Sequence, residues 1–113
     1  MATTTKRRKP RSDRNHIIYK IICTYTQEAY IGVCIVRKQA RVKSLKQRWK
    51  QHIRASTVEC KQWKMSQAIR EHGTDAFRKE IIEVVRGKAT AYDREAELIN
   101  SLRPQLNTKI RAI

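Results

Sequence analysis

Glu95 stands on the apolar face of a helix-forming stretch, and that placement is the first sign of chemistry in the chain. Tyr92, Glu95, Ile99 and Leu102 follow at spacings of three, four and three, so a helix brings them to one face. A carboxylate there costs free energy unless something neutralises it. An arginine partner and a metal ion both meet that need, and periodicity leaves the two open. Glu97 falls on the outer face and reads as an ordinary solvated acid. A second pair, Arg48 and His52, lies four residues apart beside the apolar stripe Leu45, Trp49 and Ile53. Arginine clamps phosphate and histidine carries a proton near neutral pH, so the pair suits phosphoryl chemistry. Each also has a plainer reading, since the segment is rich in basic residues and a helix-borne histidine is commonly a boundary residue.

The elements that must position these groups can be read from pattern. Residues 17–23 (IIYKIIC) and 29–35 (AYIGVCI) are rich in Ile, Val and Tyr and are joined by the short polar stretch TYTQE, which predicts a hairpin. Alternation puts Tyr19 on the face of Ile17 and Ile21, and Tyr30 on the face opposite Ile31. A basic connector over 37–43 leads to a helix over 44–55. A second helix over 61–72 carries Trp63, Ala68 and Ile69 and stops at Gly73. Phe77 to Val85 alternates poorly but is β-branched enough for a third strand. Thr90 with Asp93 marks the start of the last helix, which ends at Leu102 ahead of Pro104. The order β-β-α-α-β-α predicts an α+β domain, a small three-stranded antiparallel sheet flanked by helices.

Charge narrows the partner. The 113 residues hold 26 Lys and Arg against 10 acids, a net charge of +16, which points to a polyanion such as DNA. The segment from Arg37 to Arg54 holds eight basic residues, Arg37, Lys38, Arg41, Lys43, Lys46, Arg48, Lys50 and Arg54, and no acid, and those other than Arg48 are expected to contact phosphates. Residues 1–15 read as a flexible basic arm, either a solubilising tail or a strand along the phosphates, and 16–113 as one domain. No apolar run approaches the ~20 residues of a membrane span, and no apolar signal region follows the basic start. The expected setting is cytoplasmic and DNA-associated, with no membrane partner. Cys23, Cys34 and Cys60 form no close pair, so neither a disulfide framework nor a zinc site is expected, and the first two read as small core residues. A P-loop and a GxGxxG are both absent, leaving no support for a nucleotide or other small-molecule cofactor.

In order along the chain stand IIYKIIC, YIGV, LKQRWKQH, AIREHGTDAF, DREAELI and LRPQLN. That series, over residues 17–107, resembles the GIY-YIG nuclease family. The positions that match the family's motif are Tyr19, Tyr30, Gly32, Arg48, His52, Glu95 and Asn107. The resemblance implies a DNA endonuclease using one divalent ion, Mg2+ or Mn2+, with Glu95 as its only protein carboxylate. It implies that Tyr19 is the candidate base for the attacking water, its phenol lowered by nearby cations. Tyr30, Arg48 and His52 would orient that water and steady the transition state, and Asn107 would support the site. Choosing the base among Tyr19, Tyr30 and His52 lies beyond the sequence. Three departures stand out: Ile17 replaces the leading glycine, the segment from Val33 to Ser44 is longer and more basic, and Leu106 replaces a tyrosine before Asn107. The only room for a recognition region is the arm, the loop 37–43 and the tail after Thr108. Weak sequence preference, a structure-selective substrate or specificity borrowed from a partner would follow. A single active site implies nicking, and cutting both strands would require a homodimer. A phage or mobile-element setting suits so compact a nuclease. The rival reading is a non-enzymatic nucleic-acid-binding protein on the same fold.

Overall fold

The computed structural model describes residues 14–38, 40–61 and 63–107. The expected arm therefore lies outside the described residues as far as 13, as does the tail from 108. Strands β1 (Asn15–Cys23) and β2 (Ala29–Ile35) come first, then helices α1 (Arg41–Thr57) and α2 (Lys64–His72). Strand β3 (Phe77–Arg86) and helix α3 (Lys88–Leu102) complete the domain. The sheet runs β2-β1-β3, antiparallel throughout. The α+β architecture and element order are those the sequence predicts.

β1 takes the centre because its near-continuous apolar run has two faces to bury. Ile17, Tyr19, Ile21 and Cys23 meet Leu45 and Trp49 of α1 and Met65, Ala68 and Ile69 of α2. On the other face, Ile18 joins Ile31 and Val33 of β2 against Ala91 and Ile99 of α3. The result is three layers, α1/α2 over the sheet over α3. Each such aliphatic, fully buried, contributes about 1.5–3 kcal/mol relative to exposure, so β1 anchors both layers.

The weak alternation of β3 has a definite cause. Ile18 pairs with Glu83, but Tyr19 pairs with Ile81, which leaves Ile82 as an extra residue in the ladder. This bulge resets the period of two, so Ile81 and Val84 both pack towards the α1 side although three residues separate them. It lies directly beside Tyr19.

Helix boundaries differ from expectation for local reasons. α1 begins at Arg41, not Ser44, and takes up the last three residues of the expected connector. Ser44 sits inside the first turn, where its hydroxyl donates to the Ala40 carbonyl at 2.7 Å and accepts the Arg37 N–H at 3.0 Å. α2 begins at Lys64, and Trp63 precedes it with 48% of its surface exposed, so Met65 rather than Trp63 fills the core there. α3 begins at Lys88, two residues before Thr90. Gly87, at φ +94°, makes the whole turn from β3 into the helix, a left-handed conformation that favours glycine. Thr90 is therefore inside the helix, not its cap. The helix does stop at Leu102, ahead of Pro104. Leu102 is 56% exposed, so the buried face of α3 is Ala91, Glu95 and Ile99.

Candidate active site

β1 and β2 present one tyrosine each on the α1 side of the sheet, and α1 lays Arg48 and His52 over them. The Tyr19 hydroxyl lies 2.9 Å from His52 Nε2 and accepts the Arg48 Nε–H at 3.3 Å. The Tyr30 ring meets the His52 ring edge-on, centroids 5.0 Å apart. Gln51 holds the Arg48 guanidinium from the side, accepting an N–H at 2.8 Å.

The floor of this cluster is Gly32, which pairs with Tyr19 across the ladder. A Cβ there would lie 2.5 Å from the Tyr19 oxygen and 2.8 Å from Tyr30 Cε1. The glycine is thus a matter of space: two tyrosines occupy the volume its side chain would need. Its backbone is ordinary, unlike that of Gly87.

Asn107 secures β2 from outside. Its side chain accepts the Ile31 N–H and donates to the Ile31 carbonyl, both at 2.9 Å. Leu106 N–H adds a bond to the Ala29 carbonyl at 2.9 Å. Ile31 sits between Tyr30 and Gly32, so Asn107 holds the strand at the centre of the site. Asn107→Ala is expected to lower stability by about 1–3 kcal/mol, because both buried Ile31 groups lose their partner. A thermal melt reads this, and a native-like melt would remove the clamp.

α3 reaches the same place round the edge strand β2. Glu95, 9% exposed, opens with Tyr30, Arg48, His52 and Asn107 onto one cavity of about 650 Å³. A second, smaller cleft of about 280 Å³ lies on the other side of Arg48, lined by Arg37, Lys88 and Tyr92 among others. The sequence-predicted set therefore assembles, with one qualification. Tyr19 is completely buried behind the cavity, whereas Tyr30, Arg48, His52 and Glu95 line it.

Electrostatics corrects the expected lowering of the Tyr19 phenol. Burial pushes it well above its ordinary range, and Tyr30 adds to the rise, while Arg48 offsets only part. Tyr30 is also raised, by burial first and then by the Glu95 charge, against the opposing pull of Arg48. His52 is pushed down to about 4 by burial and by Arg48. It is therefore neutral at pH 7, a proton acceptor rather than a cation.

Stability should register the same histidine. Between its unfolded value near ~6.5 and about 4, the unfolded chain binds a proton that the folded chain refuses. Stability is then full above that window and is lost as pH falls through it, by at most about 3 kcal/mol. Melting temperatures of the native chain and His52→Gln, followed from pH 7 to 4, should diverge in slope, the variant falling less. Parallel slopes would show that His52 titrates normally.

The basic residues fall into two groups, and of these Arg37 shares the smaller cleft with Arg48. Lys43, Lys46, Lys50 and Arg54, at spacings of three, four and four, are exposed along the side of α1 away from His52. Arg37, Lys38 and Arg41 are exposed near the start of α1. Lys88 and Gln51 join the surroundings of Arg48 without a signal in the sequence, because only the fold brings them there.

A metal fits the donor set in one form. Among the described residues no three His, Cys, Asp or Glu converge, so a centre ligated wholly by protein has no basis there. Glu59, the other acid in the cavity, is paired with Arg54 at 3.6 Å and Lys61 at 3.9 Å. One inward carboxylate in a roomy cavity suits a hard cation that keeps most of its waters.

The profile of the GIY-YIG catalytic domain matches residues 15–109. The chain belongs to the GIY-YIG catalytic-domain family. As a member of that nuclease family it is an endonuclease. Two solved structures share its fold. The catalytic domain of the intron endonuclease I-TevI, in a point-mutant form, aligns with a TM-score of 0.66 at 22% identity, covering 88% of this chain and 98% of the other. A structure described as the catalytic domain of the homing endonuclease I-TevI gives 0.64 at 23%, covering 86% and 99%. A comparison with curated proteins gives no match. Within the matched span, Tyr30, Arg48, His52, Glu95 and Asn107 line one cavity, with Tyr19 and Gly32 packed behind it.

Proposed function

We propose that this GIY-YIG domain is a metal-dependent endonuclease that hydrolyses DNA phosphodiester bonds, cutting one strand per active site. The observation that carries the reading is Glu95, a buried carboxylate opening onto the cavity that also holds Arg48, His52 and Tyr30. A non-enzymatic DNA binder gains nothing from an inward negative charge where phosphate must lie.

Glu95 would hold one Mg2+ or Mn2+ ion, which when bound neutralises charge on the scissile phosphate. Arg48 faces the phosphate as a second positive group, fixed by Gln51 and Tyr19. A water oxygen attacks phosphorus and the bond to the leaving sugar oxygen breaks. The water's proton passes to the Tyr30 hydroxyl, and Tyr30 hands its own proton to Tyr19, whose ring lies 6.1 Å away between centroids. The Tyr19 proton moves on to neutral His52 Nε2, which ends as imidazolium. Tyr19 then acts as a link rather than as a standing phenolate, which its raised pKa forbids. The departing alkoxide is protonated by solvent. Arg37 and Lys88 flank Arg48 and would take neighbouring phosphates. The lysines on the far side of α1 draw DNA in through the field of a +16 chain rather than by contact at the cut. An intron-endonuclease likeness favours a mobile-element role.

Supercoiled plasmid incubated with the chain tests this. Relaxed circles that appear with Mg2+ and not with EDTA are expected. Cleavage that persists in EDTA, or DNA binding without cleavage of any paired, branched or single-stranded substrate, would overturn it.

A further inference from the structure

The cavity is lined by more than the groups proposed to act on the phosphodiester. Glu95, Arg48, His52 and Tyr30 stand with an apolar wall made by Ala55, Trp63, Met65, Ile99 and Leu106. Trp63 is the unusual member, a large aromatic left 48% exposed on the surface of a small basic protein. Backbone groups ahead of it are tied by hydrogen bonds. One Arg70 nitrogen donates to the Ser56 carbonyl at 2.9 Å and the Lys61 carbonyl at 3.0 Å, and Lys61 N–H donates to the Ala55 carbonyl at 2.9 Å. The Lys61 ammonium lies 5.6 Å from the Trp63 ring. Glu59, in the same wall, is paired with Arg54 and Lys61, so it does not stand as an isolated anion against DNA.

We infer that this apolar wall receives an unpaired nucleobase adjacent to the phosphate being cut, stacked on Trp63. The inference rests on the endonuclease reading and names its substrate class: DNA in which a base already lies outside the duplex stack. A rigid indole beside cations and a phosphate clamp is the combination that holds single nucleotides, because every base has a stacking face and every linkage a negative charge. A base still paired cannot reach the wall without breaking its pairing and stacking, whereas a bulged base has already lost both. The cavity volume of about 650 Å³ accommodates a base together with the reacting groups.

The test uses the full chain carrying Glu95→Gln, in EDTA, so that binding is read without cleavage. The probe is a short duplex with 2-aminopurine as a single bulged nucleotide, beside the same duplex fully paired. Tighter binding of the bulged probe by about 5- to 150-fold is expected, with its fluorescence quenched by stacking. Adding Trp63→Ala should bring the affinity ratio close to one and abolish the quench, and Trp63→Phe should restore part of both. Tyr25→Ala, which removes an exposed aromatic outside the cavity, should keep both. Equal binding of the two probes, or a preference and quench that survive Trp63→Ala, overturns the inference. The nuclease reading is tested separately by the plasmid assay with Mg2+. Failure there with the quench intact would cost the enzyme and leave the base site.

Discussion

Replacing Glu95 with glutamine is expected to slow plasmid nicking by at least about a thousandfold while DNA binding holds or tightens. Glutamine fills the same volume on the buried face of α3, between Ala91 and Ile99, so the fold has no reason to change. What is lost is one negative charge at the mouth of a cavity whose other site residues are a guanidinium, a neutral imidazole and a phenol. That charge is the proposed seat of the cation, and without it phosphate meets less repulsion. Nicking rates at saturating Mg2+, set beside fluorescence anisotropy on labelled duplex, read the two effects apart. A glutamine variant that nicks at the native rate would dismiss Glu95 as the metal carboxylate.

Gly32→Ala should be nearly as damaging, and for a different reason. The added methyl would sit 2.5 Å from the Tyr19 oxygen and 2.6 Å from its Cζ. Tyr19 is fully buried, so its stiff ring has no free volume to yield into. Relief means shifting the hydroxyl out of its bonds to Arg48 and His52, or pushing β2 outward against the Asn107 clamp. Overpacking of this kind costs about 1–3 kcal/mol. The displaced hydroxyl should lower cleavage by about a hundredfold, the loss expected of a general acid–base group out of place. Circular dichroism melts and the nicking assay together measure this. A variant with native melting and native rate would show that Gly32 is not the floor of the site.

Much of this site was legible in the chain because two periods placed its side chains. Period two put Tyr19 with Ile17 and Ile21 and set Tyr30 opposite Ile31, faces that the strand register turns to the same side, and the four-residue step put Arg48 with His52. Glu95 stood out as a charge among apolar neighbours, and it is buried. The misreadings share a cause, which is that depth within the fold is not a local property. Cations near Tyr19 suggested a lowered phenol, yet complete burial outweighs Arg48 and raises it. Trp63 was placed inside the second helix, which begins one residue later at Lys64 and leaves the indole half-exposed. The Ile82 bulge blurred β3 in the sequence because an extra residue erases alternation while preserving the strand.

The Asn107 clamp has a mechanical consequence. Its amide grips both backbone groups of Ile31, and the residues either side of Ile31 are the cavity tyrosine and the glycine floor. Tension applied to the chain beyond Asn107 is therefore delivered to β2 at the midpoint of the site, with no loop between to absorb it.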